Sequence, residues 1–406
     1  MKSSANRGRG RGILLLKLAV LGVIAFFVIS RVNWRDYLLW ISDGEVAVRV
    51  EGEILGEWKQ RTVEFRLDPE VEPAADWPAD LRLAAESGTT WKGRRPEDPD
   101  FQGDHYDWRP GLPRAFRELE PMGLLQAFVC FLTAVMCGTV RWWRLLWLAG
   151  CPTTLWNTLR LTYVGLFFNQ VVPGLTGGDV VKAVLVAREN PGRRADALVS
   201  VVVDRVLGLL TLIALVAVII FIAGGDFLAL QASVLGVLAV GVGGALVYVN
   251  RPVRRLVRFD AILERLPMSG RLKQIDEALV LYSRHPLQLL VAVLLSLGNH
   301  LFAVLGVIFL GLAFGVGLDE VGVLDYYVIV PVANIVSSLP LTPGGWGLGE
   351  AAYHQMFERI GANGDMGVAI SFTFRLCTVV LGLLGGLFLL APGARVDLKE
   401  IEAEAA

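Results

Sequence analysis

The chain has 406 residues, 54% of them hydrophobic, with a mean hydropathy of +0.53. This composition excludes an ordinary soluble globular protein and points to a polytopic membrane protein. The formal net charge of −1 is uninformative as a total, so the placement of charge along the chain has to carry the orientation. Cys130, Cys137, Cys151 and Cys377 form no CxxC and no Cys/His cluster. They read as small apolar packing residues, and neither a metal site nor a disulfide framework is expected.

Residues 1–12 carry Lys2, Arg7, Arg9 and Arg11, and an apolar run over 13–30 follows, interrupted by Lys17. A basic stretch before an apolar one suits a signal peptide, but Arg31-Val32-Asn33-Trp34 offers no small-x-small cleavage site. Residues 1–41 are therefore read as a cytoplasmic tail and an uncleaved first transmembrane helix. Residues 42–112 hold seventeen acidic and nine basic residues, a net of −8. Val46, Val48 and Val50 alternate with charged or small residues, and 62–67 repeats that pattern, so both segments are predicted strands. Pro, Gly and Asp cluster over 96–113, which reads as loop, and Asp104-His105-Tyr106-Asp107 within it reads as solvated rather than metal-ligating. Residues 42–118 are thus expected to form a small β-rich extracytoplasmic insert, with a partner for it left open.

A span over 122–140 ends in Arg141-Trp142-Trp143-Arg144, an aromatic and basic belt suited to the cytoplasmic interface. The apolar segment 154–172 carries Asn157, Arg160, Asn169 and Gln170, then breaks at Pro173-Gly174. The segment 180–189 beyond the break is too short to cross, since a helix needs ~20 residues. Arg188, Arg193 and Arg194 then mark the cytoplasmic side, so entry and exit on one side predict a re-entrant hairpin. Spans over 197–223, containing Asp204-Arg205, and over 227–249 follow. Residues 251–275 are arginine-rich and read equally as an amphipathic helix on anionic lipid or as a positive-inside loop.

The span 286–314 carries Asn299-His300, where His300 is either a proton carrier or, the blander reading, a hydrogen-bonded packing residue. Asp319 and Glu320 fall outside. Residues 323–339 enter from there, break at 340–347, and return over 348–360 as a second hairpin. The last span, 366–390, contains Arg375, and a tail over 393–406 with Arg395 and Lys399 is cytoplasmic. The expected fold is an all-α polytopic membrane protein of about six spanning helices plus two inverted re-entrant helical hairpins, with residues 119–392 as its transmembrane domain. Pro173 to Arg205 is 32 positions, and Pro343 to Arg375 is also 32, a coincidence that supports an inverted repeat.

The hairpin tips carry the chemistry. Glycines allow backbone N–H groups to approach an anion closely, the returning half-helices add positive partial charge, and Arg suits phosphate through its planar fork. The candidate substrate-binding residues are Asn169, Pro173, Gly177, Gly178, Asp179 and Lys182 with Asp204 and Arg205. In the second half they are Thr342, Pro343, Gly344, Gly345 and Glu350 with Arg375. A structural alternative stands beside each: the arginines pair with nearby acids, Glu350 for Arg375, and the acids only complement helix dipoles.

These motifs also carry a resemblance. Arg141 to Leu146, Asn169 to Asp179, Asp204 to Leu209, Thr342 to Gly345 with Glu350, and Arg375 keep the order and spacing of the lysylphosphatidylglycerol synthase transmembrane-region family, also called flippase-like membrane proteins. The match runs over roughly 120–392. The chain departs from the family in its long polar insert and leaves no room for the soluble aminoacyl-transferase domain that the synthases append. The resemblance implies a transporter in the cell membrane, moving an anionic or phosphate-containing lipid between leaflets. No cofactor and no nucleic acid are expected. A membrane transferase acting on a phospholipid or polyprenyl-phosphate is the rival, but no D-x-D, H-E-x-x-H or nucleophile elbow is present. The third reading is a non-transporting scaffold that works through its insert.

Overall fold

A computed structural model describes residues 33–42, 45–96, 101, 103–171, 177–223, 284–338, 342 and 345–390, with 235, 236, 239, 240, 243 and 282 as isolated positions. The predicted spans 13–30 and 227–249 and the arginine-rich segment 251–275 lie outside it, apart from those isolated positions in the second.

The insert forms an antiparallel sheet of β1 (Asp36–Ser42), β2 (Glu45–Leu55), β3 (Thr62–Leu67), β4 (Trp91–Arg94) and β5 (His105–Arg109), in the order β4-β3-β2-β1-β5. Register aligns the large side chains across one face: Trp108 opposite Leu38, Leu38 opposite Val50, Ile54 opposite Phe65, and Phe65 opposite Trp91. All are buried, and α1 (Ala79–Ser87) covers them with Leu81 and Ala84. The predicted strands at 46–50 and 62–67 are β2 and β3. Val46, however, is 56% exposed, because the register shifts at Trp40/Ile41 and breaks the alternation there.

β5 lies inside the stretch read as loop. His105, Tyr106 and Asp107 therefore sit in a strand, with Asp107 ion-paired to Arg95 at 2.8 Å. β1 was hidden for a different reason. Tyr37, Leu38 and Leu39 are all buried, so the strand has no exposed face and reads as one more apolar run. Asp36 at its start is buried and accepts from the Ile54 N–H at 3.0 Å, the Gly111 N–H at 2.8 Å and Arg114 Nε at 2.7 Å. It ties the sheet to α2 (Leu112–Arg117), whose Phe116 packs edge-on against Phe314 and Phe372 of the helical part.

The helical part consists of α3 (Pro121–Leu148), α4 (Leu155–Val171), α5 (Gly177–Glu189), α6 (Arg194–Ala223), α7 (Pro286–Ala313), α8 (Val323–Ser338), α9 (Leu348–Arg359) and α10 (Gly364–Leu390). Among the described residues, four helices are long and apolar enough to cross a bilayer: Pro121–Leu148, Pro191–Ile222, Pro286–Ala313 and Gly364–Phe388. Their outer faces leave Leu125, Leu209, Phe221, Leu294 and Leu383 exposed, an apolar surface that water would not tolerate and lipid covers. α3 and α7 run antiparallel in close contact: Gly123 meets Ala313, Gly306 meets the Phe131 ring, and Asn299 Nδ2 donates to the Ala134 carbonyl at 2.6 Å. Small residues at such crossings let helices approach.

α4 and α5 form an antiparallel hairpin. Asn157 and Arg160 at one end of it reach Glu189, and Asn169 at the other caps Gly178. α8 and α9 form a second: Tyr326 packs edge-on against Phe357 near its base, and Ser337 meets Gly345 and Gly349 at its tip. The first hairpin's base lies beside the C-terminus of α3, where Trp143 and Trp147 donate to the Thr153 carbonyl at 2.9 and 3.0 Å. The second hairpin's base lies at the sheet-bearing end, where Glu320 accepts from the Asn363 N–H at 3.3 Å. The two hairpins thus open at opposite ends of the bundle.

Candidate functional site

Two polar clusters occupy the helical part, one at each hairpin. The first gathers residues from α3, α5, α6 and α7. Arg141 Nε pairs with Asp204 Oδ1 at 2.7 Å, and its Nη1 donates to Ser296 Oγ at 2.7 Å, with all three side chains buried. Asp179, the third residue of α5, pairs with Arg205 on α6. Lys182, one turn further along α5, is 9% exposed and makes no hydrogen bond or ion pair among the described residues. Its ammonium lies 4.1 Å from the centre of the Trp142 ring. Asn169 Oδ1 accepts from the Gly178 N–H at 2.9 Å and closes the hairpin. Gly178 is needed there, because a Cβ would collide with the Gly165 carbonyl and with Asn169.

The second cluster is built on α9 and α10. Glu350, the third residue of α9, pairs with Arg375 Nε at 2.6 Å, and its other oxygen accepts from the Gly347 N–H at 2.7 Å. Arg375 Nη2 donates to the Gly345 carbonyl at 2.6 Å and to Ser337 Oγ at 3.2 Å, and the guanidinium carbon lies 5.5 Å from the Trp346 ring centre. Gly345 and Gly347 have φ of 70° and 82°, a left-handed backbone that glycine adopts without strain. Gly349 leaves room for Arg375, whose guanidinium would meet any Cβ at that position. Thr342 is buried, and its hydroxyl has no partner.

Of the predicted site residues, Asn169, Gly178, Asp179, Lys182, Asp204 and Arg205 come together at the first hairpin, with Gly177 opening α5. Gly345, Glu350 and Arg375 come together at the second, with Ser337 added. Pro173, Pro343 and Gly344 lie outside the described residues. The two arrangements correspond: each acid is third in its helix, and each arginine is twelfth in the next (Arg205 in Arg194–Ala223, Arg375 in Gly364–Leu390). They differ in exposure, because the Arg205 side chain is 54% exposed and that of Arg375 only 12%.

Sequence reasoning missed Arg141. It was assigned with Trp142 to an interfacial belt, yet both are buried, and Arg141 rather than Arg205 is the partner of Asp204. The available signal was the apolar run Leu145-Leu146-Trp147-Leu148 beyond it, through which α3 continues, so that Arg141 lies inside the helix. Ser337 lay too far in sequence from Arg375 to be linked to it. His300 Nε2 lies 3.0 Å from the Gly208 carbonyl, which holds it against α6 as a packing contact. Among the described residues no group of His, Cys, Asp and Glu is arranged to hold a metal ion.

Residues 105–386 match the model of a family described as lysylphosphatidylglycerol synthase TM region. A UPF0104 membrane protein of Pyrococcus horikoshii is 22% identical over 313 residues, covering 70% of this chain and 92% of that protein. No solved structure matches the chain at a significant level.

Proposed function

We propose that this chain, which belongs to the lysylphosphatidylglycerol synthase TM region family, is a flippase-like transporter that moves a lipid with an anionic, phosphate-bearing headgroup between leaflets. The observation that carries this reading is the charge imbalance of the first cluster. Among the described residues, Arg141, Lys182 and Arg205 are matched by Asp179 and Asp204, and Lys182 is the cation left over. A buried charge without a partner is costly, so it marks a place where a counter-charge binds. A phosphate reaching Lys182 and the accessible Arg205 would supply one. The second cluster is balanced and holds its hairpin tip closed by the Glu350–Arg375 pair.

The hairpin helices have 17, 13, 16 and 12 residues, shorter than the ~20 that cross a bilayer. With bases at opposite ends and matching acid–arginine pairs, they support an inverted pair of re-entrant hairpins meeting near the midplane. Arg144, Arg188, Arg193 and Arg194 cluster at the end away from the sheet, which favours that end as cytoplasmic and the sheet as extracytoplasmic.

Topology is open to direct test. On a background lacking the four native cysteines, Asp319→Cys is expected to label from outside intact cells and Gly192→Cys only after permeabilisation. The reverse pattern overturns the orientation. Labelling of both from outside overturns the hairpin reading of α4 and α5.

Function is tested in proteoliposomes with a fluorescent anionic phospholipid. The protein is expected to move it between leaflets unmodified. Lys182→Met is expected to reduce that movement by roughly tenfold or more, the loss of one charge-assisted contact, with no loss of thermal stability. Full transport by Lys182→Met overturns the role of the surplus charge, and a chemically altered lipid would make the protein an enzyme.

A further inference from the structure

The sheet does not lie flush on the helical part. Between them is a cavity of about 410 Å³, walled by the end of β5 and the turn before β3 on one side, and by the segments after α7 and α9 on the other. Strand alternation turns Asp107 and Arg109 of β5 away from the sheet's hydrophobic core, on the face that carries Tyr37 and Leu39 of β1.

The charges in this cavity are balanced in number and incompletely paired in space. Arg95 Nε and Arg109 Nε share the single carboxylate of Asp107, at 2.8 and 3.3 Å. Glu320 lines the same cavity and, among the described residues, accepts only the Asn363 N–H, at 3.3 Å. Nearby protein pushes the Glu320 carboxyl above the usual range, with the Asn363 hydrogen bond and Arg109 pulling it back. Lys59 pairs with no acid among the described residues, and its ammonium lies 5.8 Å from the Trp58 ring centre. Among the described residues Asp319 has no ion pair and no hydrogen bond, and both it and Lys59 are exposed and line the cavity. The Trp58 indole N–H, buried in the wall, has no acceptor.

Each simple ligand class leaves something unmatched. An anion would meet Asp319 and Glu320. A cation would meet Lys59 and the two arginines. A neutral polyol would leave the unpaired Lys59 and Asp319 as they are. We propose that this cavity binds a zwitterion, a phosphate or carboxylate held by Lys59 and a primary ammonium held by Asp319. The cavity volume falls within the range of small-molecule sites. A phosphoethanolamine group has this chemistry, whether it ends a lipid or is free in solution. The site is separate from the intramembrane clusters and does not rest on the transport reading.

The test is calorimetry on the full chain in detergent, titrated with glycerophosphoethanolamine, glycerophosphate, ethanolamine or glucose. Saturable binding of glycerophosphoethanolamine is expected, with the other three weaker by roughly tenfold or more. Lys59→Gln and Asp319→Asn, both surface changes that leave the fold intact, are each expected to weaken it by about tenfold, one charge-assisted contact each. Lys59→Gln should leave the weak ethanolamine binding unchanged, and Asp319→Asn should leave that of glycerophosphate unchanged or tighter. No saturable binding of the zwitterion, tighter binding of any comparator, or indifference to both substitutions overturns the proposal. Native mass spectrometry from nanodiscs containing phosphatidylethanolamine separates the two sources. Lipid retention that both variants lose assigns the site to a lipid headgroup, and calorimetric binding without lipid retention assigns it to a free zwitterion; either upholds it.

Discussion

Arg375→Gln is expected to lower the melting temperature of the purified protein by roughly 10 °C, more than any other single change at the hairpin tips. The pair it breaks is enclosed on every side: Glu350 at 2.6 Å, the Gly345 carbonyl, Ser337 and the Trp346 ring. Removing one member of such a pair costs about 3–5 kcal/mol, because the remaining charge stays buried without its partner. Two structural elements loosen together, since Arg375 is the link between α10 and the α8/α9 tip. The double change Glu350→Arg with Arg375→Glu is expected to recover only part of the loss. It restores the pair but forfeits the Gly347 N–H cap on Glu350 and the Gly345 carbonyl contact of Arg375. An unchanged melting temperature in Arg375→Gln would mean that the second hairpin tip is not held by this pair. Arg205→Gln, its counterpart, is expected to shift stability much less, because that side chain is 54% exposed and solvent replaces the lost contact.

Asp204→Asn is the second large effect. Asp204 is 5% exposed, is the partner of Arg141, and shares its cluster with the buried Lys182. Its neutralisation leaves two buried cations without compensation, an expected cost of about 3–5 kcal/mol. The control is a paired replacement. Arg141→Met with Asp204→Leu removes both charges and substitutes apolar volume, which is often close to neutral for a buried pair. Measured by thermal unfolding in detergent, the double variant should melt well above Asp204→Asn. A double variant as unstable as the single one would show that Ser296 and the packing around Arg141, rather than the charge, hold α3, α6 and α7 together.

These clusters were partly legible before any coordinates. The polar residues inside apolar segments, the two Pro-Gly breaks and the equal spacing of 32 named Asp179, Arg205, Glu350 and Arg375, and the tertiary contacts join them as Asp179–Arg205 and Glu350–Arg375. The pairing of Asp204 was not legible. Adjacent residues on a helix point about 100° apart, so Asp204 and Arg205 face different neighbours, and only the packing of α3 shows that Arg141 waits opposite Asp204. Lys182 stood out only as a polar residue on a short helix. Its isolation becomes apparent once both aspartates are seen to be taken.

The sequence by itself determined the class of this protein and the location of its breaks. Long apolar runs cannot be kept in water, adjacent proline and glycine disfavour a continuous helix, and both effects are local. It determined β2 and β3 for the same reason, since a strand with one wet face alternates visibly. The tertiary structure alone decided β1 and β5. β1 is buried on both faces and loses its alternation, while β5 gains its identity from pairing with β1 across more than sixty positions of chain. It also decided which charges are neutralised and which are left over. Burial and pairing are properties of what the rest of the chain places alongside a residue, so the surplus cation at Lys182 and the unpaired Lys59 and Asp319 exist only in the folded arrangement.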